Sequence, residues 1–380
     1  MIDAIKIHNF KIHKNLDLEF KNLNLLVGLN SSGKSSVIQG LLLLLQNHKN
    51  GQLRSGLGLN GNLCNIGFIS DALCQYADED AGKEYIEFSV RNNGRVFSWK
   101  FAPQNRNLEV DYIPLVSEPV EDTDFTSGNV QYISAARLAP QESYPFRTNE
   151  VANLKQISLD KGKCELVVHF LYHYGKEKKF QINPALSYSP ATSLDLIDQV
   201  SAWEGVISSN VNVVPQLEGK AFSLKYSYNK PGDIVPSKEF SATNVGFGLS
   251  YALPIIVAVL TAQPGDLIII ENPEAHLHPS GQAEMIRLIS MAAQTGVQFI
   301  IETHSDHIIN GLLVATKRFE ETGKDGVDKA LTNIYSFHKN QDTQTSDYDP
   351  VNIIGDGKID RQPEGFVEQT TKDLSYLLGF

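Results

Sequence analysis

Apolar and polar residues alternate from the start of the chain, and the spacing predicts strands over Ala4–Ile7 and Leu16–Phe20. An unbroken apolar run predicts a third, buried strand over Leu23–Val27, then a glycine-rich turn and a helix from about Lys34 to Leu45. Alternation returns over Tyr85–Val90, Val96–Phe101 and Leu108–Ile113. Gln131–Ser134 reads as a further strand leading into a loop with Arg137 and Pro140. Residues 141–240 have a different texture, with polar loops, a strand expected over Glu165–His169 and a helix over Leu194–Ser208. No heptad repeat runs through them, so no long coiled coil is expected. Beyond them come a helix near Ser250–Leu260, an apolar strand Leu267–Ile270, a helix near Pro279–Ala293 and a strand Gln298–Ile301. The tail after about 340 is polar until Leu374–Leu378, which is expected to dock as a short helix. Buried strands alternating with helices imply an α/β fold with a mixed, mostly parallel sheet. The predicted organisation is one lobe over 1–140, a smaller inserted lobe over 141–240 and a second part of the main lobe over 241–380.

Composition narrows this picture. A length of 380 residues suits one large α/β domain with an insertion. The net charge of -11 argues against a basic nucleic-acid coat, and leaves DNA as a candidate partner only through a local patch. Cys64, Cys74 and Cys164 are sparse and unpatterned, which fits neither a disulfide framework nor a zinc site and suits a reducing cytoplasm. The longest apolar stretches, Leu41–Leu45 and Ile255–Leu260, are far short of the roughly 20 residues of a membrane helix, so no membrane association is expected.

Four segments carry chemistry. Gly28-Leu29-Asn30-Ser31-Ser32-Gly33-Lys34-Ser35 matches G-x-x-x-x-G-K-[ST] in full, between an apolar strand and a helix. Its glycines let the backbone curl so that the N–H groups of Asn30 to Ser36 point at phosphate, and the helix N-terminus adds its positive dipole end. Lys34 would reach the β- and γ-phosphates of ATP, and the Ser35 hydroxyl would ligate Mg²⁺. Second, the apolar strand before Glu271 presents a carboxylate at its C-terminal end, where α/β sheets bind ligands. Glu271 would hold the Mg²⁺ shell. Third, His304 in Glu302-Thr303-His304-Ser305 stands at a strand end where an imidazole can sense a γ-phosphate. Fourth, Asn244–Ser250, with Gly246 and Gly248, offers a second anion-binding surface before an apolar helix, which two facing chains would use on each other's ATP. His276, His278, His304 and His307 lie near these motifs without zinc-site spacing.

Together Asn9-Phe10-Lys11, Gly28–Ser36, Glu271–Pro279 and Glu302–Asp306 resemble the ABC-type ATPases of the RecF, SMC and OLD kind. Within them the chain resembles most a bacterial subgroup with a C-terminal domain of unknown function, through Gly246–Ser250, the ENPEAHLHP and ETHSDHIINGL blocks and the ending Gly357…Pro363-Glu364-Gly365-Phe366. The block Tyr132–Arg137 with Pro140 is similar too. The resemblance implies an ABC-ATPase-like P-loop fold, ATP and Mg²⁺ as cofactors, and a head-to-tail dimer or higher oligomer. Gly246, Gly248 and Ser250 would act in trans as the signature loop, Leu277–Pro279 would cross the interface, and His304 would be the switch histidine. The sequence departs from the pattern at one point. The usual Asp-Glu pair at the strand end is Glu271-Asn272, and asparagine cannot act as a base. Glu274 is the nearest replacement, so slow turnover is expected. The resemblance also implies a role in anti-phage defence, with ATP controlling an effector such as a nuclease on a partner chain. A DNA-repair ATPase of the RecF or SMC kind and a nucleotide-bound scaffold are the rival readings.

Overall fold

The computed structural model describes residues 1–76, 85–104, 108–120, 124–126, 128–188, 191, 193–229, 237–363, 366 and 374–378. In chain order the elements are β1 (Ile2–Phe10), β2 (His13–Glu19), β3 (Leu23–Gly28), α1 (Lys34–Lys49), β4 (Gly56–Gly58), α2 (Ile69–Ala72), β5 (Ile86–Asn92), β6 (Arg95–Phe101) and β7 (Tyr112–Pro114). Next come β8 (Val130–Ile133), β9 (Tyr144–Pro145), α3 (Val167–Leu171), α4 (Leu196–Glu204), β10 (Val211–Glu218), β11 (Ala221–Tyr228) and β12 (Phe240–Ser241). The remainder is α5 (Phe247–Thr261), β13 (Leu267–Glu271), α6 (Pro279–Gln294), β14 (Gln298–Glu302), α7 (Asp306–Thr322), β15 (Thr332–Lys339) and β16 (Ser346–Val351). The chain divides into two compact units, one of residues 1–128, 332–354 and 359–380, the other of 129–331 and 355–358.

In the first unit β2, β1, β5 and β6 form an antiparallel sheet, in that order. Its inward positions include Ile5, Ile7, Phe88, Trp99 and Phe101, all fully buried. The strict alternation along β5 is the two-residue period of a strand with one face on a core. β3 is buried at every position and pairs in parallel with β15, whose other edge pairs antiparallel with β16. α1 packs against β1 and β3. Leu41 to Leu44 of α1 are fully buried, each contributing roughly 1.5–3 kcal/mol by leaving water.

In the second unit β13 pairs in parallel with β8 on one edge and β14 on the other. α5 is apolar almost all round, and the sequence predicts its burial; α6 and α7 pack on each other. Within 141–240, β10 and β11 form a hairpin extended by β9 and β12, and α4 packs on both β10 and α5.

The predicted strands of the P-loop and Glu271 regions form within a few residues of their expected limits. Elsewhere the structure differs. Glu165–His169 is not a strand: its apolar part joins α3, where Val167 to Leu171 are all buried. A short run buried on every side has no period to separate strand from helix. Over Leu108–Ile113 only the end is a strand, because the carbonyls of Leu108 and Val110 accept from Ser70 and Ile69 at the start of α2 and take no part in a ladder. The polar tail contains β16, and the structure adds α7 and the β10–β11 hairpin to the elements the pattern predicts. Leu374–Leu378 is helical, but Leu374, Tyr376, Leu377 and Leu378 are exposed and do not dock. Glu364 and Gly365 lie outside the described residues. Among the described residues no helix is long and apolar enough to cross a membrane.

Candidate nucleotide-binding site

The first unit carries the glycine-rich loop. β3 ends at Gly28, whose φ is 137°, and a Cβ there would stand 2.2 Å from the Phe337 carbonyl oxygen of β15. Only glycine meets both demands. Leu29, Asn30 and Ser31 form the exposed crest, with Ser31 at a φ of 62°, and Ser32, Gly33 and Lys34 turn back into the protein. Gly33 is the N-cap of α1 and its carbonyl accepts from the N–H groups of Ser36 and Val37. The Ser35 side lies exposed on the first turn of α1 and Ser36 is buried. Lys34 curls over its own loop: Nζ donates to the carbonyls of Gly28 at 2.9 Å and Leu29 at 2.8 Å. The ammonium is thus held above the turn in which the backbone N–H groups of a phosphate cradle lie.

Two side chains brace this loop from behind. His13, fully buried on β2, bonds through Nε2 to the Gly33 carbonyl at 2.9 Å. A carbonyl only accepts, so Nε2 carries a proton. Burial pushes the imidazole pKa down to about 4, against a smaller opposing effect of that hydrogen bond. Ser346, at the start of β16, donates through Oγ to the Ser32 carbonyl at 2.5 Å.

The second unit carries Glu271, Glu274 and His304. Glu271 ends β13, and three donors from the exit of β8 hold its carboxylate: Tyr132 Oη at 3.0 Å, the Ala135 N–H at 3.1 Å and Ser134 Oγ at 3.4 Å. The chain then reverses tightly, with Asn272 at φ 47° and His276 at φ 62°. Glu274 turns back inside this reversal and meets the end of β14. Thr303 Oγ1 donates to one of its oxygens at 2.8 Å and the His304 N–H to the other at 2.9 Å. The carboxylate that follows the Asn272 departure is therefore fixed at both oxygens by the histidine segment itself. The His304 ring is about one-third exposed, with Nε2 3.9 Å from Glu302 Oε1.

Gly246 caps α5 and Gly248 lies in its first turn, where a Cβ would come 2.8 Å from the His276 carbonyl oxygen. That close approach brings the helix N-terminus against the Glu271–Pro279 reversal. A groove of about 280 Å³ opens there, lined by Ile207, Ser208, Gly246, Gly248, His276 and His278. Gly246 and Gly248 face it, whereas Ser250 is buried one turn further on. His278 is the N-cap of α6, its Nδ1 3.4 Å from the Ser280 N–H, and His276 packs on the Tyr251 ring at 4.3 Å.

The loop brings Asn30 to Ser36 together, and the second unit gathers Glu271, Glu274 and His304 with Gly246 and Gly248 around one reversal. The sequence alone assigns no role to His13, Ser346, Tyr132, Ser134, Ala135, Thr303 or Arg137. The block Tyr132–Arg137 at the exit of a parallel strand, with a tyrosine, a serine and an arginine among small and apolar residues, is the signal that points to four of them.

A family model described as an AAA ATPase domain matches residues 1–118 and 148–309. The DNA double-strand break repair Rad50 ATPase of Pyrococcus abyssi is 29% identical over 112 residues, which are 27% of this chain. That match spans 12% of the length of the Rad50 protein. Among solved structures, an SMC head bound to the C-winged helix domain of ScpA superimposes with a TM-score of 0.52 and 13% identity, covering 98% of this chain and 99% of that one. An SMC head domain with an extended coiled coil, bound to the C-terminal domain of ScpA and derived from Pyrococcus furiosus, gives 0.51 and 13%, covering 99% of each chain. These two likenesses establish the fold, an ABC-type P-loop α/β fold with a mixed, mostly parallel sheet.

Proposed function

The chain belongs to the AAA ATPase domain family, and from that premise we propose that it binds ATP with Mg²⁺, hydrolyses it slowly and works as a dimeric switch on a partner protein. The observation that carries this reading is the loop itself. Lys34 is held over a turn whose first glycine admits no side chain. In this reading Asn30 to Ser36 cradle the phosphates, and Lys34 meets the β- and γ-phosphates. Ser35 and Glu271 offer the hard oxygen donors that Mg²⁺ favours. The metal, when bound, neutralises charge on the transferred phosphate.

Glu274 is the general base in place of Asn272, and His304 reads the γ-phosphate. The fixed carboxylate of Glu274, held by Thr303 and His304, supports both assignments. Gly246, Gly248 and Ser250 act in trans on the nucleotide of a second copy, head to tail, with residues 141–240 as an inserted lobe beside that surface. The partner is an effector such as a nuclease, in anti-phage defence within the cytoplasm.

The test is ATP hydrolysis measured beside size-exclusion mass with ATP and Mg²⁺, on the wild type, Lys34→Ala and Glu274→Gln. The expected result is slow wild-type turnover, no ATP binding in Lys34→Ala and an ATP-trapped dimer in Glu274→Gln. Wild-type turnover retained by Glu274→Gln would remove the assigned base. Binding without turnover in the wild type would leave a nucleotide-held scaffold.

The match to the Rad50 ATPase, a DNA double-strand break repair protein by name, favours a second reading as a DNA-repair ATPase. It requires that duplex DNA accelerate turnover, with binding that weakens steeply as salt rises.

A further inference from the structure

Arg137 leaves β8 a few residues beyond its last strand position and turns inward, and only 2% of it is exposed. Its guanidinium makes four hydrogen bonds, each to a backbone carbonyl. Nε donates to Tyr251 at 3.0 Å, Nη1 to Ser134 at 3.1 Å and to Glu271 at 3.0 Å, and Nη2 to Asn272 at 2.8 Å. It also lies 5.3 Å from the centre of the Tyr251 ring. A buried cation is costly unless its donors are satisfied, and here four of the five guanidinium N–H groups are.

The acceptors come from three separate segments: the exit of β8, the carboxylate end of β13 and the first turns of α5. Pro254 lacks an N–H, so the Ser250 carbonyl loses its helical donor four residues on. Arg137 binds the next carbonyl along α5, that of Tyr251. The fork is planar and rigid, so the peptide planes of Glu271 and Asn272 cannot shift relative to α5 without breaking bonds at both ends.

We propose that Arg137 is a positioning residue that couples the Glu271–Glu274 reversal to the glycine-led helix α5, so that nucleotide engagement at the carboxylates moves the surface offered to a second copy. The inference rests on the ATPase reading above and deepens it. Arg137 does not touch nucleotide in this role; it acts through the carbonyls it holds. Lysine cannot replace it, because a point charge on a flexible stem cannot meet four carbonyls in one plane.

The experiment compares the wild type, Arg137→Lys and Arg137→Ala, with Lys34→Ala as the control for nucleotide. Arg137→Lys is expected to bind ATP within about threefold of wild type while kcat falls about 30-fold and KM stays within about threefold. Ethylguanidinium is expected to restore turnover about tenfold to Arg137→Ala and to leave Lys34→Ala inactive. A merely structural role predicts loss of fold, ATP binding and kcat together, without rescue.

A second measurement needs no variant. Amide hydrogen exchange on the wild type, with and without ATP and Mg²⁺, should change together over residues 271–277 and 247–253. A change confined to one of the two segments overturns the coupling, as does Arg137→Lys turning over like wild type. If the wild type shows no ATP binding or turnover dependent on Lys34, the ATPase reading fails first and the coupling falls with it.

Discussion

The corner after β3 and the corner after β13 are both turns at the C-terminal end of a strand in a parallel ladder, yet they are held in different ways. The first is held mainly by backbone and by the space available to it: Gly28 at a φ of 137° against the Phe337 carbonyl, and a lysine that folds onto the carbonyls of its own loop. The second is held by donors from remote segments, three side-chain hydroxyls, two backbone N–H groups and one guanidinium. Tyr132, Ser134 and Ala135 grip Glu271, Thr303 and His304 grip Glu274, and Arg137 grips the backbone between them. A corner of the first kind tolerates no added atoms. A corner of the second kind tolerates changes of shape but is sensitive to the loss of single hydrogen bonds.

The sharpest way to break the comparison is therefore at Gly28. Gly28→Ala places a methyl group within 2.2 Å of a backbone oxygen at a conformation that L residues rarely adopt. The expected cost is about 4 kcal/mol from strain and overpacking together, with loss of ATP binding. Urea denaturation and nucleotide titration measure the two. A Gly28→Ala variant of unchanged stability would mean that backbone sterics do not hold this corner.

The same contrast explains what was legible in the sequence. The loop could be read because its chemistry lies in consecutive residues, each demanding glycine, lysine or a hydroxyl at a fixed offset. The strand before Glu271 could be read because four apolar residues followed by an acid form one continuous signal. The grip on that acid could not. Tyr132 and Glu271 are far apart in the chain and meet only because β8 and β13 pair in parallel, with Ile133 opposite Ile270. Sequence pattern gives strands but not which strands are neighbours. The role of Thr303 stayed hidden for a related reason, since it depends on β14 pairing with β13 so that Glu302 lies opposite Glu271. His13 was hidden because a buried histidine in an alternating strand looks like any inward-facing residue.

His13 is one of the two side chains that brace the first corner, and it makes that corner sensitive to acid. Its folded-state pKa of about 4 lies below the ordinary value of 6.5. The unfolded chain thus takes up the proton first as pH falls. The stabilisation is complete above pH 6.5, declines as pH drops and is lost near pH 4, amounting to roughly 3 kcal/mol. Comparing the unfolding free energy of wild type and His13→Gln between pH 7 and 4 isolates this part, because glutamine retains a donor for the Gly33 carbonyl and does not titrate. The wild-type curve should fall more steeply by that amount. Parallel curves would mean that the His13 ring is solvated and the brace behind Gly33 is not dry.

The smallest expected effect is the most informative about the second corner. Thr303→Val keeps the shape of a fully buried side chain and removes the hydroxyl that donates to Glu274 at 2.8 Å. The Ser305 N–H, which bonds to the same hydroxyl at 3.1 Å, also loses its acceptor. Losing a hydrogen bond to a charged group is worth about 1.5 kcal/mol, or roughly tenfold in rate if Glu274 acts as the base. Turnover should then fall by about that factor while ATP affinity stays within about twofold, because the glycine-rich loop has lost nothing. If affinity falls and the rate constant does not, Glu274 serves to hold the reversal in shape, and the base must be sought elsewhere. A loss in both would mean that the two corners are not independent, and that the order imposed by backbone on one depends on the order imposed by side chains on the other.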